Sequence, residues 1–375
     1  MPLKTLGTRG PCGVLGAVLA VIAVEAAFAR HDLDLGRPEN LNWRWGRHVA
    51  RRNAPQADIL CFGTSMMQTG LLPRLIAERT GRQAYGMAVV GSQMPYSYYL
   101  FKQALASGAK PSTLIIDFPV NFLGSSLDSQ PAGWPDALNF RDTFDMAWQM
   151  RDSRFFAAVV SEKLLPTLAF RLQTRKAVSA ALNGESASLL TENVTYLRNY
   201  NKNLGAFMAG KKPGYAGEVS DHYVKTFLND APWKPDPIKA RYFRRLIELA
   251  AANGVRVYWV MSPFVPDLQA GRDSKKLDAA YNEFAWAMTS KFPNLMVLDA
   301  RHAGYKADVF MDAVHLDIDG ASTLSQAVAD AIENDESGSS KWVNLPPFRP
   351  RPINVPVEIA ADSFKALFSG GEVRR

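Results

Sequence analysis

Five short apolar runs, each closed by a turn, constrain this chain more than any other feature in it. The first is Asp58-Ile59-Leu60-Cys61-Phe62-Gly63. The others lie at Ala84 to Val90, Ser112 to Phe118, Val255 to Met261 and Leu295 to Leu298. Runs of this length, rich in β-branched and aromatic residues and bounded by Gly, Pro, Asn or Asp, read as buried strands. Helix-compatible segments stand between them. Leu71 to Thr80 ends at Gly81, Tyr96 to Ser107 at Gly108, and Ile238 to Ala252 at Asn253-Gly254; residues 275–290 form another. Strands alternating with helices at this spacing predict βαβ units, a parallel sheet and an α/β fold class.

The alternation is lost between Gly124 and Pro237. Helix-period apolar positions such as Phe155, Phe156, Val159 and Val160 recur there, with Gly- and Pro-rich turns from Gly210 to Gly217. We read 124–237 as a mostly helical insertion, either a cap over the carboxyl edge of the sheet or an embellishment without a role at the site. Residues 58–123 and 238–333 are then one α/β domain divided by it. Residues 31–57, polar and holding Trp and Arg, read as a linker. Residues 334–375 are Pro-rich and read as an extended tail.

At the N-terminus, Lys4 and Arg9 precede an apolar stretch from Gly13 to Ala29, followed by Arg30. With Ala27-Phe28-Ala29 at its end, this fits a secretory signal peptide or a retained membrane anchor. Both place the rest of the chain outside the cytoplasm, secreted or membrane-anchored. The net charge of +7 is spread along the chain and not gathered into a stripe, which argues against nucleic acid. It suits acidic polysaccharide or anionic lipid headgroups. The two cysteines, Cys12 and Cys61, sit in the N-terminal apolar stretch and in a strand, a spacing that builds neither a disulfide nor a metal site.

The first strand ends in Gly63-Thr64-Ser65. A serine at a sharp strand-to-helix turn stands at the carboxyl edge of the sheet, where open α/β folds bind ligands. Ser65 is either a nucleophile there or an ordinary helix N-cap. Near the other end, Asp312-Ala313-Val314-His315 puts a carboxylate three residues before a histidine. That spacing lets Asp312 hold the imidazole Nδ1–H while Nε2 faces Ser65. Acyl transfer also needs donors for an oxyanion. The Ser65 backbone N–H, the Gly91 backbone N–H and the Asn121 side-chain amide each follow a strand; Gly91 and Asn121 serve equally as simple turn residues.

Taken together, the serine turn after the first strand, Gly91 in Val89-Val90-Gly91-Ser92, Asn121 in Pro119-Val120-Asn121-Phe122 and Asp312-x-x-His315 resemble the SGNH/GDSL hydrolase superfamily. The usual Gly-Asp-Ser is here Gly63-Thr64-Ser65, with Gly70 matching the later glycine of that block. The third block lacks its usual glycine and aspartate. With the apolar N-terminus and the strand closing in Ser262-Pro263, the chain looks like the extracytoplasmic branch similar to alginate O-acetylases and exopolysaccharide-cluster proteins. The resemblance implies a flavodoxin-like three-layer sandwich. It further implies a serine esterase or O-acyltransferase, commonly for acetyl, acting on a cell-envelope or exopolysaccharide glycan. Ser65, His315 and Asp312 would form the triad, with no metal or cofactor. Partners would be an acylated glycan or acyl donor, and the membrane through the N-terminal segment. The alternative is a non-catalytic relative that binds glycan or assists assembly.

Overall fold

A computed structural model describes residues 10–30, 38–128, 133–169, 171–185, 190–335 and 340–368. Its centre is a six-stranded sheet of β1 (Ile59–Gly63), β2 (Ala84–Gly86), β3 (Thr113–Asp117), β4 (Arg256–Met261), β5 (Leu295–Asp299) and β6 (Trp342–Asn344). The order is β2-β1-β3-β4-β5-β6 and every pairing is parallel. This is the flavodoxin-like order with one strand added, in a three-layer α/β sandwich.

Side chains alternate across each strand, so the apolar runs divide into two cores. Leu60, Phe62, Leu114, Ile116, Val257 and Trp259 face one layer, with Phe101 of helix Met94–Ala106 and Phe243 of helix Pro237–Ala252. Ile59, Cys61, Ile115, Tyr258, Val260 and Met296 face the other, with Leu75 of helix Pro73–Thr80 and Val328 of helix Ile318–Glu333. Both faces are covered, which is why the runs show no polar alternation.

The strand order reverses at β1, which lies between β2 and β3. The helices after β1 cover one face (Leu75) and the helix leading from β3 to β4 covers the other (Phe243), so a crevice opens at the carboxyl ends of these two strands. Helix Ile318–Glu333 packs on the helices Ser65–Gly70 and Pro73–Thr80 that follow β1. The Leu72 N–H donates to Ser325 Oγ at 2.7 Å across that contact. Through this helix the loop after β5 is carried back to the end of β1.

The insertion is helical, as its periodicity predicts; its longer pieces are Phe140–Met150, Ser153–Leu164, Arg171–Leu182 and Leu190–Lys202. It returns to the body by backbone contact, with Gly86 N–H donating to Leu204 O at 2.8 Å. A Cβ on Gly205, whose φ is +92°, would collide with the Gly86 carbonyl, so glycine is required there.

Three expectations change. Residues 38–57 are not a linker: Pro38–Arg52 is a helix whose Trp43 is buried against Tyr96 and Trp134. Residues 31–37 lie outside the described residues. The Pro-rich tail also folds onto the body, supplying β6 and helix Ala360–Phe368, which packs on Leu190–Lys202. The strand expected at 84–90 is assigned only at 84–86. Met87 and Val89 N–H still donate to the Cys61 and Gly63 carbonyls, so the segment follows β1 before turning away.

Helix Gly10–Arg30 holds the N-terminal apolar stretch, and Val14, Leu15, Val18, Leu19, Val21, Ile22 and Val24 are all exposed on it. Among the described residues no helix is long and apolar enough to cross a membrane; the side chains described on this one run from 13 to 27. Glu25 accepts hydrogen bonds from Thr167 N–H at 2.8 Å and Thr167 Oγ1 at 2.6 Å.

Candidate active site

β1 ends at Gly63, and Thr64 caps the helix Ser65–Gly70, its Oγ1 accepting from Met66 N–H at 3.3 Å. Capping is therefore done by Thr64, the residue standing where the resembled family has aspartate. Ser65 is the first helical residue and its hydroxyl is left for another partner. A Cβ on Gly63 would lie 2.7 Å from the Asp117 carbonyl and 2.7 Å from Met67 Cβ. Only glycine lets the turn sit this close to β3.

His315 Nε2 lies 2.8 Å from Ser65 Oγ, and His315 Nδ1 lies 2.8 Å from Asp312 Oδ2. The turn that holds them is local. Asp312 Oδ1 accepts from the Val314 and His315 N–H groups, each at 2.9 Å, and Met311 N–H donates to His315 O at 2.8 Å. Burial raises the Asp312 carboxyl. The His315 hydrogen bond and charge, with those two N–H groups, outweigh it and hold the carboxyl at about 2. An ionised Asp312 accepts from Nδ1–H, which leaves the Nε2 lone pair facing Ser65 Oγ.

The three residues singled out as a triad are thus brought together, and the two other expected donors are not brought to them in the same cleft. Ser65 and His315 line a cleft of about 740 Å³ whose wall includes Tyr196, Phe207, Met311 and Phe364. Val90 lines it; Gly91 does not. Gly91 is exposed, with φ +66°, in a turn closed by Ser92 N–H donating to Val89 O at 3.0 Å. Asn121 lines a separate cavity of about 750 Å³ with Gln93 and Trp233. Its Oδ1 is buried without a hydrogen-bond partner. Helix termini leave their first N–H groups outside the intrahelical ladder; of these the Met66 N–H is taken by Thr64, and the Ser65 N–H is the expected donor that stays beside the serine hydroxyl.

Several residues that reach this site have no sequence signal comparable to Asp-x-x-His. Gln68 is buried and joins the helix that carries Ser65 to the insertion. Its Nε2 donates to Ala88 O at 3.2 Å, its Oε1 accepts from Tyr196 OH at 3.2 Å, and its carbonyl accepts from Phe207 N–H at 3.0 Å. Tyr223, from helix Asp221–Phe227, hydrogen-bonds Asp312; burial first and that carboxylate second push its hydroxyl well above the usual phenol range. At the end of β3, Asp117 is buried and accepts from Ser262 Oγ at 2.6 Å. Burial pushes its carboxyl up to about 7, against the Ser262 hydrogen bond and the charge of His315. Ser262 had one visible signal, its place directly after the apolar run Val255 to Met261. The insertion's Tyr196 and Phe207 place it at the cleft, so it acts there as a wall.

No protein-family model matches the chain, and no curated protein does. Nine chains of known structure match it. One is from Streptococcus pneumonia and is described as a "putative platelet activating factor". It is 11% identical, with a TM-score of 0.37, over 84% of this chain and 99% of that one.

Proposed function

We propose that the chain is a serine-dependent acyl esterase or O-acyltransferase of the SGNH/GDSL type, acting on esters of a cell-envelope or exopolysaccharide glycan. One observation carries the reading. Ser65 Oγ, His315 and Asp312 form a continuous chain of two 2.8 Å contacts, in an open cleft at the carboxyl edge of the sheet. A serine hydroxyl is a poor nucleophile until an adjacent base takes its proton, and the base works only when a third group fixes its tautomer.

The mechanism follows from those roles. Ser65 Oγ attacks the ester carbonyl as His315 Nε2 takes its proton, and Asp312 stabilises the imidazolium. The tetrahedral oxyanion is held by the Ser65 backbone N–H at the start of Ser65–Gly70. Collapse expels the alcohol, which takes the proton from Nε2, and leaves the acyl group on Ser65. Water or a sugar hydroxyl, deprotonated by the same nitrogen, then accepts the acyl group and frees the serine. The aromatic wall of Tyr196, Phe207 and Phe364 suits a sugar ring or an acyl chain. The exposed apolar side chains of helix Gly10–Arg30, from Val14 to Val24, support membrane association.

A second reading, a glycan-binding or assembly protein that keeps the fold without catalysis, is favoured by the absence of Gly91 and Asn121 from the cleft's lining. A fluorophosphonate probe separates the two. The catalytic reading expects covalent labelling of the wild type that disappears in Ser65→Ala. Folded wild-type protein that takes no label and turns over no aryl ester would leave the binding reading.

A further inference from the structure

We propose that one face of the insertion rests on an anionic phospholipid surface, so that the protein meets the bilayer with its folded body as well as with its N-terminal helix. On helix Phe140–Met150, Phe140, Phe144 and Trp148 recur every fourth position and share one side. They are 55%, 60% and 71% exposed. The same helix is buried through Asp142 and Met146 on the side opposite the stripe and through Thr143 and Ala147 beside it, so the aromatic stripe is surplus to the core. Its rings are ordered against one another. Phe144 stacks on Trp148 with centroids 6.3 Å apart and meets Phe156 edge-on at 6.2 Å.

The stripe is continuous with the N-terminal helix. Lys163 Nζ stands 5.9 Å from the Phe140 ring, and Leu164 beside it is 63% exposed. Three residues on, Thr167 holds Glu25 of helix Gly10–Arg30 by two hydrogen bonds. A chain of contacts thus runs from the apolar helix through a short connection to the aromatic stripe. Leaving phenylalanine and tryptophan side chains facing water forgoes the favourable free energy that burial would return, and an exposed aromatic cluster of this kind marks an interaction face.

Charge selects the partner. Residues 153–182 hold Arg154, Lys163, Arg171, Arg175 and Lys176 against the single acid Glu162. All but Lys163 of these basic residues are exposed, and exposed Leu172, Val178 and Leu182 share helix Arg171–Leu182 with the last three of them. Basic side chains beside Trp, Phe and Leu are the composition of helices that lie in a headgroup layer. Each Lys or Arg near an anionic leaflet adds electrostatic attraction to it. A protein partner would need matching acidic and apolar relief; a lipid surface needs neither.

The inference rests on membrane association of Gly10–Arg30, and the experiment separates the two. The full chain, in a Cys12→Ser background, carries a nitroxide at one of Val18→Cys, Phe144→Cys, Trp148→Cys or Ser107→Cys. It is bound to phosphatidylglycerol–phosphatidylethanolamine vesicles, with flotation establishing that it is bound. Accessibility to oxygen and to a water-soluble nickel chelate gives depth. We expect lipid-like values at 18, 144 and 148 and an aqueous value at the exposed residue 107. Aqueous values at 144 and 148 with a lipid-like value at 18 overturn the proposal and leave the anchor. Aqueous values at all four, or no flotation, overturn both. Labels at 144 and 148 shielded from both reagents mean a protein covers the face, which also overturns it. None of these outcomes depends on the chemistry at Ser65.

Discussion

Gln68 Oε1 accepts a 3.2 Å hydrogen bond from Tyr196 OH, across 128 positions of sequence, and this contact ties the helix that carries Ser65 to the insertion that walls its cleft. Gln68 is buried, so removing its donor leaves a desolvated amide oxygen. Tyr196→Phe is expected to cost about 1–3 kcal/mol in chemical denaturation. It should also raise KM more than it lowers kcat, because Tyr196 lines the cleft and does not touch Ser65 or His315 through any of its hydrogen bonds described above. Unchanged stability would show that the seam is not held there.

Asp312 is expected to matter for chemistry and for acid stability. Asp312→Asn keeps the shape but presents an amide to Nδ1, which favours the wrong imidazole tautomer. In serine triads such a change lowers kcat on the order of 10⁴-fold. The folded carboxyl sits at about 2 against an ordinary 3.8. Its stabilisation is therefore complete above the ordinary value and is lost as pH falls through that window. Wild-type denaturation midpoints should drop there more steeply than those of Asp312→Asn.

Asp117 carries the opposite sign. Its folded carboxyl titrates at about 7 against an ordinary 3.8. Between those values the folded protein binds a proton that the unfolded chain has released, so this group's contribution falls as pH rises. Asp117→Asn, which still accepts from Ser262 through its amide oxygen, should unfold at a higher temperature than wild type near about pH 8 and at a similar one near about pH 4. Parallel profiles for the two proteins would contradict the assignment.

Gly63→Ala tests the close approach of the Gly63-Thr64-Ser65 turn to β3. The added Cβ would lie 2.7 Å from backbone at Asp117 and 2.7 Å from Met67 Cβ. Relieving that contact shifts the backbone that aims Ser65. A stability loss of about 1–3 kcal/mol is expected, with a fall in kcat beyond what the unfolded fraction explains. Thermal denaturation and steady-state kinetics on the same preparation separate the two.

What the sequence made legible follows from how local each signal is. β1, β3, β4 and β5 are buried on both sides, so each announces itself as an apolar run. Asp312 and His315 are held by one turn, so their spacing carries their geometry. The meeting of Ser65 and His315 could be inferred from roles, but its cause is helix Ile318–Glu333 lying on Pro73–Thr80, a contact with no local mark. β6 is three residues in a Pro-rich tail and forms because β5 offers a free edge. Helix Pro38–Arg52 looks polar because only a narrow face, centred on Trp43 and Val49, is buried. Gly91 and Asn121 follow strands, as expected, yet where a loop points after a strand is set by its turn. The φ of Gly91 and the cavity around Asn121 are tertiary facts.

The central claim is that Ser65 carries the acyl group. Wild-type protein mixed with an aryl acetate, quenched in acid during turnover and digested, should yield the peptide containing Ser65 with one added acetyl. His315→Ala should yield none. Folded wild-type protein that releases no aryl alcohol and carries no acyl group on Ser65 would contradict the account.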